Sequence, residues 1–140
     1  MRILKKIARV GLLAFALSAM ASGPVSTLES WRFGEDYIIF VNLKDKGMRV
    51  NQGCEDATSS CLVWKMLASV SLQDLDASDL SGGKNIGASL CHKIENAQIV
   101  FARNAKGRQA TFCAFLDGSM VDSGGLLLAA KMNAAKRGGR

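Results

Sequence analysis

Residues 85–116 read NIGASLCHKIENAQIVFARNAKGRQATFCAFL, and the fold expectation rests on this stretch. Asn85 is placed to cap a short helix running to about Ile94, with Leu90, Cys91 and Ile94 on one face. Ala97–Arg103 is rich in β-branched and apolar residues and reads as a strand. Asn104-Ala105-Lys106-Gly107 reads as a hairpin turn, and Gln109–Leu116 as the returning strand. On that strand Thr111, Cys113 and Phe115 point to one side, so Cys113 meets Cys91 if that side faces the helix. Asp117-Gly118 marks a turn. Asp122 or Ser123 then caps a final helix from about Gly125 to Arg137, whose cationic end complements the helix dipole. The expected fold class is α+β: a small disulfide-stabilised domain with a short helix packed on an antiparallel hairpin, plus a C-terminal helix.

Upstream, residues 22–35 are mixed and polar, with Trp31 and Phe33 as apolar anchors. Asp36–Leu43 (DYIIFVNL) reads as a strand, Lys44–Gly47 as a turn and Met48–Val50 as a second strand. Asn51–Ser60 is loop-like. In Cys61–Leu72, Leu62, Val63, Met66, Leu67 and Val70 suit one face of a helix, although CLVWKML also suits a buried strand; helix is the preferred reading. Residues 22–140 are thus expected to form a single small domain, with an N-terminal half 22–80 and a helix–hairpin–helix half 84–137.

Residues 1–21 read as a secretory signal peptide. Arg2, Lys5, Lys6 and Arg9 precede the uncharged run Val10–Met20, and Ala19-Met20-Ala21 is an A-x-A cleavage site. The run is 11 residues, whereas a membrane span needs about 20. The whole chain of 140 residues carries 18 basic and 12 acidic side chains. Removing the four basic residues of the leader leaves 14 against 12, a net charge of +2. Four more basic residues, Lys131, Lys136, Arg137 and Arg140, lie in the last ten, so residues 22–130 carry 10 basic against 12 acidic groups. Nucleic acid is therefore not an expected partner, because the body lacks the cationic field that a phosphate backbone requires.

All four cysteines follow the leader, and an even count in an exported chain reads as disulfides. Cys54–Cys61 and Cys91–Cys113 are favoured by sequence proximity and by the helix–hairpin geometry. Their loops are worth about 2.5 and 3.4 kcal/mol in the chain-entropy picture. The spacings contain no CxxC, so neither a metal nor a redox role is expected. The acidic stretch Asp74–Gly83 starts like a calcium loop at Asp74 and Asp76. It then fails, with Asp79 where the sharp-turn glycine belongs and Asn85 where the bidentate glutamate belongs. Gly82-Gly83-Lys84 lacks the leading glycine and the Ser/Thr of a phosphate loop. His92 is the single histidine, has no G-x-S-x-G partner and neighbours a bridged cysteine, so no catalytic residue is assigned. No cofactor is expected.

The run Asn85-Ile86-Gly87-Ala88-Ser89-Leu90-Cys91, a strand pair, Phe112-Cys113 and Asp117-Gly118-Ser119 resembles a small exported bacterial domain of unknown function that often carries a hemolysin label. The resemblance covers about residues 84–121. Ile86 stands where that pattern has proline, Glu95-Asn96 where it has a double glycine, and its later Cys and Trp are absent. The resemblance implies a helix–hairpin fold with a bridging disulfide and supplies no catalytic residues.

The expected function is a non-enzymatic binding or interaction module, periplasmic or secreted, with an envelope or extracellular protein as partner and no transmembrane segment in the mature chain. Trp31, Phe33, Tyr37 and Trp64 are the candidate contact aromatics. The alternatives are a small periplasmic hydrolase built around His92, or a membrane-active effector using the C-terminal cationic helix.

Overall fold

Alternation along the strands organises the molecule. The computed structural model describes residues 26–139; the expected leader and its cleavage site lie outside the described residues. Six strands are present: β1 (Ser26–Phe33), β2 (Asp36–Leu43), β3 (Met48–Asn51), β4 (Gln98–Asn104), β5 (Gln109–Ala114) and β6 (Met120–Asp122). Three helices, α1 (Leu62–Ser69), α2 (Ile86–Lys93) and α3 (Ser123–Gly138), join them, with a 3-10 turn at Leu72–Asp74. The strands are antiparallel and close into a barrel in the order β1-β2-β3-β6-β5-β4.

This architecture corrects the expected one. The sheet is a closed six-stranded barrel rather than a hairpin with a helix laid on it. A lone β4–β5 hairpin would leave two rows of backbone donors and acceptors unpaired, and closure pairs part of each row, two residues of β4 and three of β5. β1 takes the free edge of β4, while β6 bridges β5 to β3. The pairings β1–β4 and β3–β6 join residues of the two expected halves into one sheet. The helix and hairpin of residues 85–116 are present, the hairpin as part of the barrel wall and the helix packed on its outer face.

Successive side chains on a strand point to opposite faces, which gives the barrel two apolar layers. Inside, Trp31, Phe40, Ala102 and Phe112 are buried together, with Phe33 and Val100 against them. The Trp31 and Phe112 rings meet edge-on at 5.3 Å, and Phe40 and Phe112 lie 4.5 Å apart. Outside, Val41, Leu43, Met48, Val50, Cys113 and Val121 pack under Val63 and Leu67 of α1, Leu90 and Cys91 of α2, and Leu126 and Ala130 of α3. The helices therefore cover one side of the barrel. The other side leaves Leu28, Tyr37 and Phe101 largely exposed.

The helix ends are satisfied in unlike ways. Asn85 caps α2 by accepting the Ala88 amide at 3.1 Å. α1 has no side-chain cap of its own, and the Asp117-Gly118-Ser119 turn supplies one from 55 residues away. The Leu62 amide donates to Asp117 Oδ2 at 2.7 Å and the Val63 amide to Ser119 Oγ at 3.0 Å. At the other end of α1, Asn133 Nδ2 on α3 donates to the carbonyls of Leu67 and Val70 at 2.9 and 2.8 Å.

Candidate functional site

The four cysteines form two bridges, Cys54–Cys61 and Cys91–Cys113, the pairing that proximity and periodicity favour. The first ties the loop after β3 to the start of α1, and the second pins α2 to β5. Both are structural, and the cysteines carry no free thiol.

The candidate aromatics do not share a surface. Trp31 and Phe33 point into the barrel against Phe112, Tyr37 lies exposed on the outer face, and Trp64 stands on α1. His92 is exposed on the last turn of α2. The acidic stretch 74–83 is tied up in local hydrogen bonds. Asp74 accepts the Ser71 amide, and the Ser78 hydroxyl and the Asp79 amide hold the Asp76 carboxyl down at about 2. Asp79 also pairs with Lys93 at 3.1 Å.

Two arrangements emerge that the sequence did not single out. The first lies on the inward face of β1, β2 and β3, beside the aromatic core. Arg49 Nε donates to Glu29 Oε2 at 2.6 Å, Asn42 Nδ2 to Glu29 Oε1 at 2.8 Å, and Trp31 Nε1 to Glu29 Oε2 at 3.1 Å. The Arg49 amide donates to Asp122 Oδ1 at 2.6 Å, and its guanidinium lies 3.8 Å from Asp122 Oδ2. Burial pushes Glu29 up, but the hydrogen bonds from Arg49, Asn42 and Trp31 outweigh it and leave the carboxyl below its ordinary value. Asp122 is more deeply buried, and there burial outweighs the Arg49 amide and charge, so its carboxyl sits above the ordinary value. The acceptors and donors of this cluster are turned on one another. It serves to join β1, β2, β3 and β6.

The second is a groove between α1, α3 and the β2–β3 turn, with a volume of about 780 Å³. Met48, Trp64, Leu67, Leu128, Ala129 and Met132 form its apolar lining. Trp64 is oriented by its ring N–H, which donates to the Cys54 carbonyl at 2.7 Å, and the Cys54–Cys61 bridge holds that carbonyl's loop. Asn133, bonded to the end of α1, fixes the spacing of the two helices that form the walls. Gly47 closes the third wall in a left-handed turn conformation (φ 64°), close against Leu128. Lys44, Lys46 and Lys136 stand on the rim with Asp45, giving three positive groups and one negative. Asp45 is already 3.8 Å from Lys46. Of the expected aromatics only Trp64 belongs here. The lysines lie in segments that read as turn and helix end, and nothing in their spacing announced a shared cavity.

Comparison with protein-family models, with curated proteins and with solved structures finds no match to this chain. Among the described residues no helix is long and apolar enough to cross a membrane. The two disulfides fit an oxidising compartment.

Proposed function

We propose that this is an exported, non-enzymatic binding module whose binding surface is the groove between α1, α3 and the β2–β3 turn. The observation that carries the reading is the groove itself: a concave, mainly apolar space of about 780 Å³. Ligand sites typically occupy about 300–1,000 Å³ and are lined by apolar side chains with a few polar groups. A protein partner would be expected to use a broader and flatter surface, so the groove favours a small apolar or amphipathic ligand. Export is supported by the leader-like residues 1–21 and by the two bridges, which persist in an oxidising compartment. The resemblance over residues 84–121 to exported domains with a hemolysin label agrees with that location.

The alternatives have less support. A hydrolase built on His92 needs a nucleophile and an orienting acid around it, and His92 belongs neither to the groove nor to the Glu29–Arg49–Asp122 cluster. A membrane-active C-terminal helix needs a free apolar face, whereas Leu126, Ala129 and Ala130 of α3 are buried against the barrel.

The test is a groove-filling substitution. The purified protein is expected to bind the apolar fluorophore 1-aminoanthracene with one-to-one stoichiometry. Ala68→Trp, on an exposed lining position of α1, should abolish that binding while leaving the melting temperature unchanged. Undiminished binding by a folded Ala68→Trp protein would remove the groove from the reading.

A further inference from the structure

We infer that the groove takes a single-chain carboxylate, a fatty acid whose acyl chain lies along the apolar lining and whose carboxylate is met by the rim lysines. The inference rests on the binding reading above and adds the ligand's charge and shape.

Trp64 Nε1 is spent on the Cys54 carbonyl, and Asn133 Nδ2 on the carbonyls of Leu67 and Val70. Lys46 is shared with Asp45. Lys44 and Lys136 are left, with no carboxylate within 4.0 Å of either among the described residues. A ligand must therefore bring its own negative charge to that rim and little polarity elsewhere. Among the described residues no arginine lines the groove. The planar fork that grips phosphate in bidentate fashion is missing, and the lysine point charges suffice to meet a carboxylate. Lysine stems also lie well along an acyl chain, with the ammonium group turned outward. Met48 and Met132 supply a lining that adapts to a flexible chain. The lysines edge a concave space between two helices and a turn, a shape that admits one chain and does not match the flat surface of a bilayer.

The experiment is calorimetric titration of the native protein, below micellar concentrations, with octanoate, decanoate, dodecanoate and the uncharged ester monododecanoylglycerol. Dodecanoate should bind one-to-one, at least tenfold tighter than the ester, and affinity should rise about tenfold for each two methylenes added. The double substitution Lys44→Glu with Lys136→Glu should erase the preference for the anion while the ester still binds and the melting temperature holds. Equal affinity for dodecanoate and the ester would overturn the carboxylate inference and leave the groove reading standing. Absence of binding by both, or full dodecanoate binding by Ala68→Trp, would overturn the groove reading as well. Binding confined to vesicles of anionic phospholipid would replace the inference with a membrane-surface role.

Discussion

Asp122 and Glu29 are two carboxyls that share one arginine and are shifted in opposite directions. Asp122 ends β6 and starts α3, so its carboxyl is trapped under the first turn of the helix beside Met48 and Val121. Burial raises its pKa. The fold thus favours the protonated form more than the unfolded chain does. The stability it contributes is complete below the ordinary carboxylate value and is lost as the pH rises through the raised value. Glu29 behaves the other way: its hydrogen-bonded carboxylate stabilises the fold above the ordinary value, and that share is lost as the pH falls through the lowered one. Asp122→Asn cannot titrate, so its melting temperature relative to the native protein should be higher at pH 7 than at pH 3. Glu29→Gln should show the opposite dependence, and thermal denaturation across that range reads both. A melting difference for Asp122→Asn that falls with rising pH would mean that the Arg49 charge outweighs burial. The second bridge is the feature most legible in the sequence. Cys91 and Cys113 follow from helix and strand periodicity, because a helical face and a strand face are each fixed by local spacing. The Glu29–Arg49–Asp122 cluster is not legible in that way, since its members come from three strands and meet only when the barrel closes.

Among the elements, α1 and α2 are held by contacts made far along the chain. The cap of α1 comes from Asp117 and Ser119, and burial of the Asp117 carboxyl is outweighed by its hydrogen bonds to the Leu62 amide and to Ser119. Asp117→Ala should lower stability by about 1 kcal/mol, the usual cost of a lost helix cap, read by denaturant titration. Its pKa is lowered in the fold, so the loss should be full at neutral pH and shrink as the pH falls through that lowered value. α2 crosses the start of α3 at Gly87, where a Cβ would run into the Ser123 backbone oxygen. Gly87→Ala would ordinarily favour a helix, yet here it should cost about 1–3 kcal/mol through overpacking. A rise in melting temperature for Gly87→Ala would show that α2 can shift off α3. The elements that the sequence hid are instructive. β1 looked polar because its inward residues, Glu29, Trp31 and Phe33, mix a charge with two aromatics, while its outward side meets solvent. β6 is three residues long, too short for its periodicity to declare itself. The helix of residues 62–69 was ambiguous because an apolar run of that length suits a strand equally well, and only its covering position on the barrel settles the matter.

For the molecule as a whole, the barrel is closed by two short seams, β3 with β6, paired only at Val50 and Val121, and β1 with β4. β1 and β2 pair over eight residues, whereas β1 and β4 pair over two, Trp31 with Asn104 and Arg32 with Arg103. The second of these pairs sets two arginines directly opposite one another on the uncovered side. Across the four strands β2, β1, β4 and β5 the row continues as Tyr37, Arg32, Arg103 and Gln109, all exposed. Neither arginine has a carboxylate within 4.0 Å among the described residues. Like charges facing each other across strands destabilise by up to about 1 kcal/mol, and opposite charges gain a similar amount. Closure therefore works against a local repulsion and is sustained by Trp31, whose ring is buried against Phe112 just inside the seam. Arg103→Glu converts the repulsion into an attraction across the same pair. It should raise the melting temperature by several degrees at low ionic strength, with the gain shrinking as salt is added, because the pair is exposed and open to screening. Amide exchange gives the companion measurement: protection at Arg32 and Arg103 should rise in the variant more than protection along β2 and β3. A variant with unchanged stability and unchanged exchange at the seam would mean that the two guanidinium groups already turn apart into water, and that the aromatic core alone sets how firmly the barrel is shut.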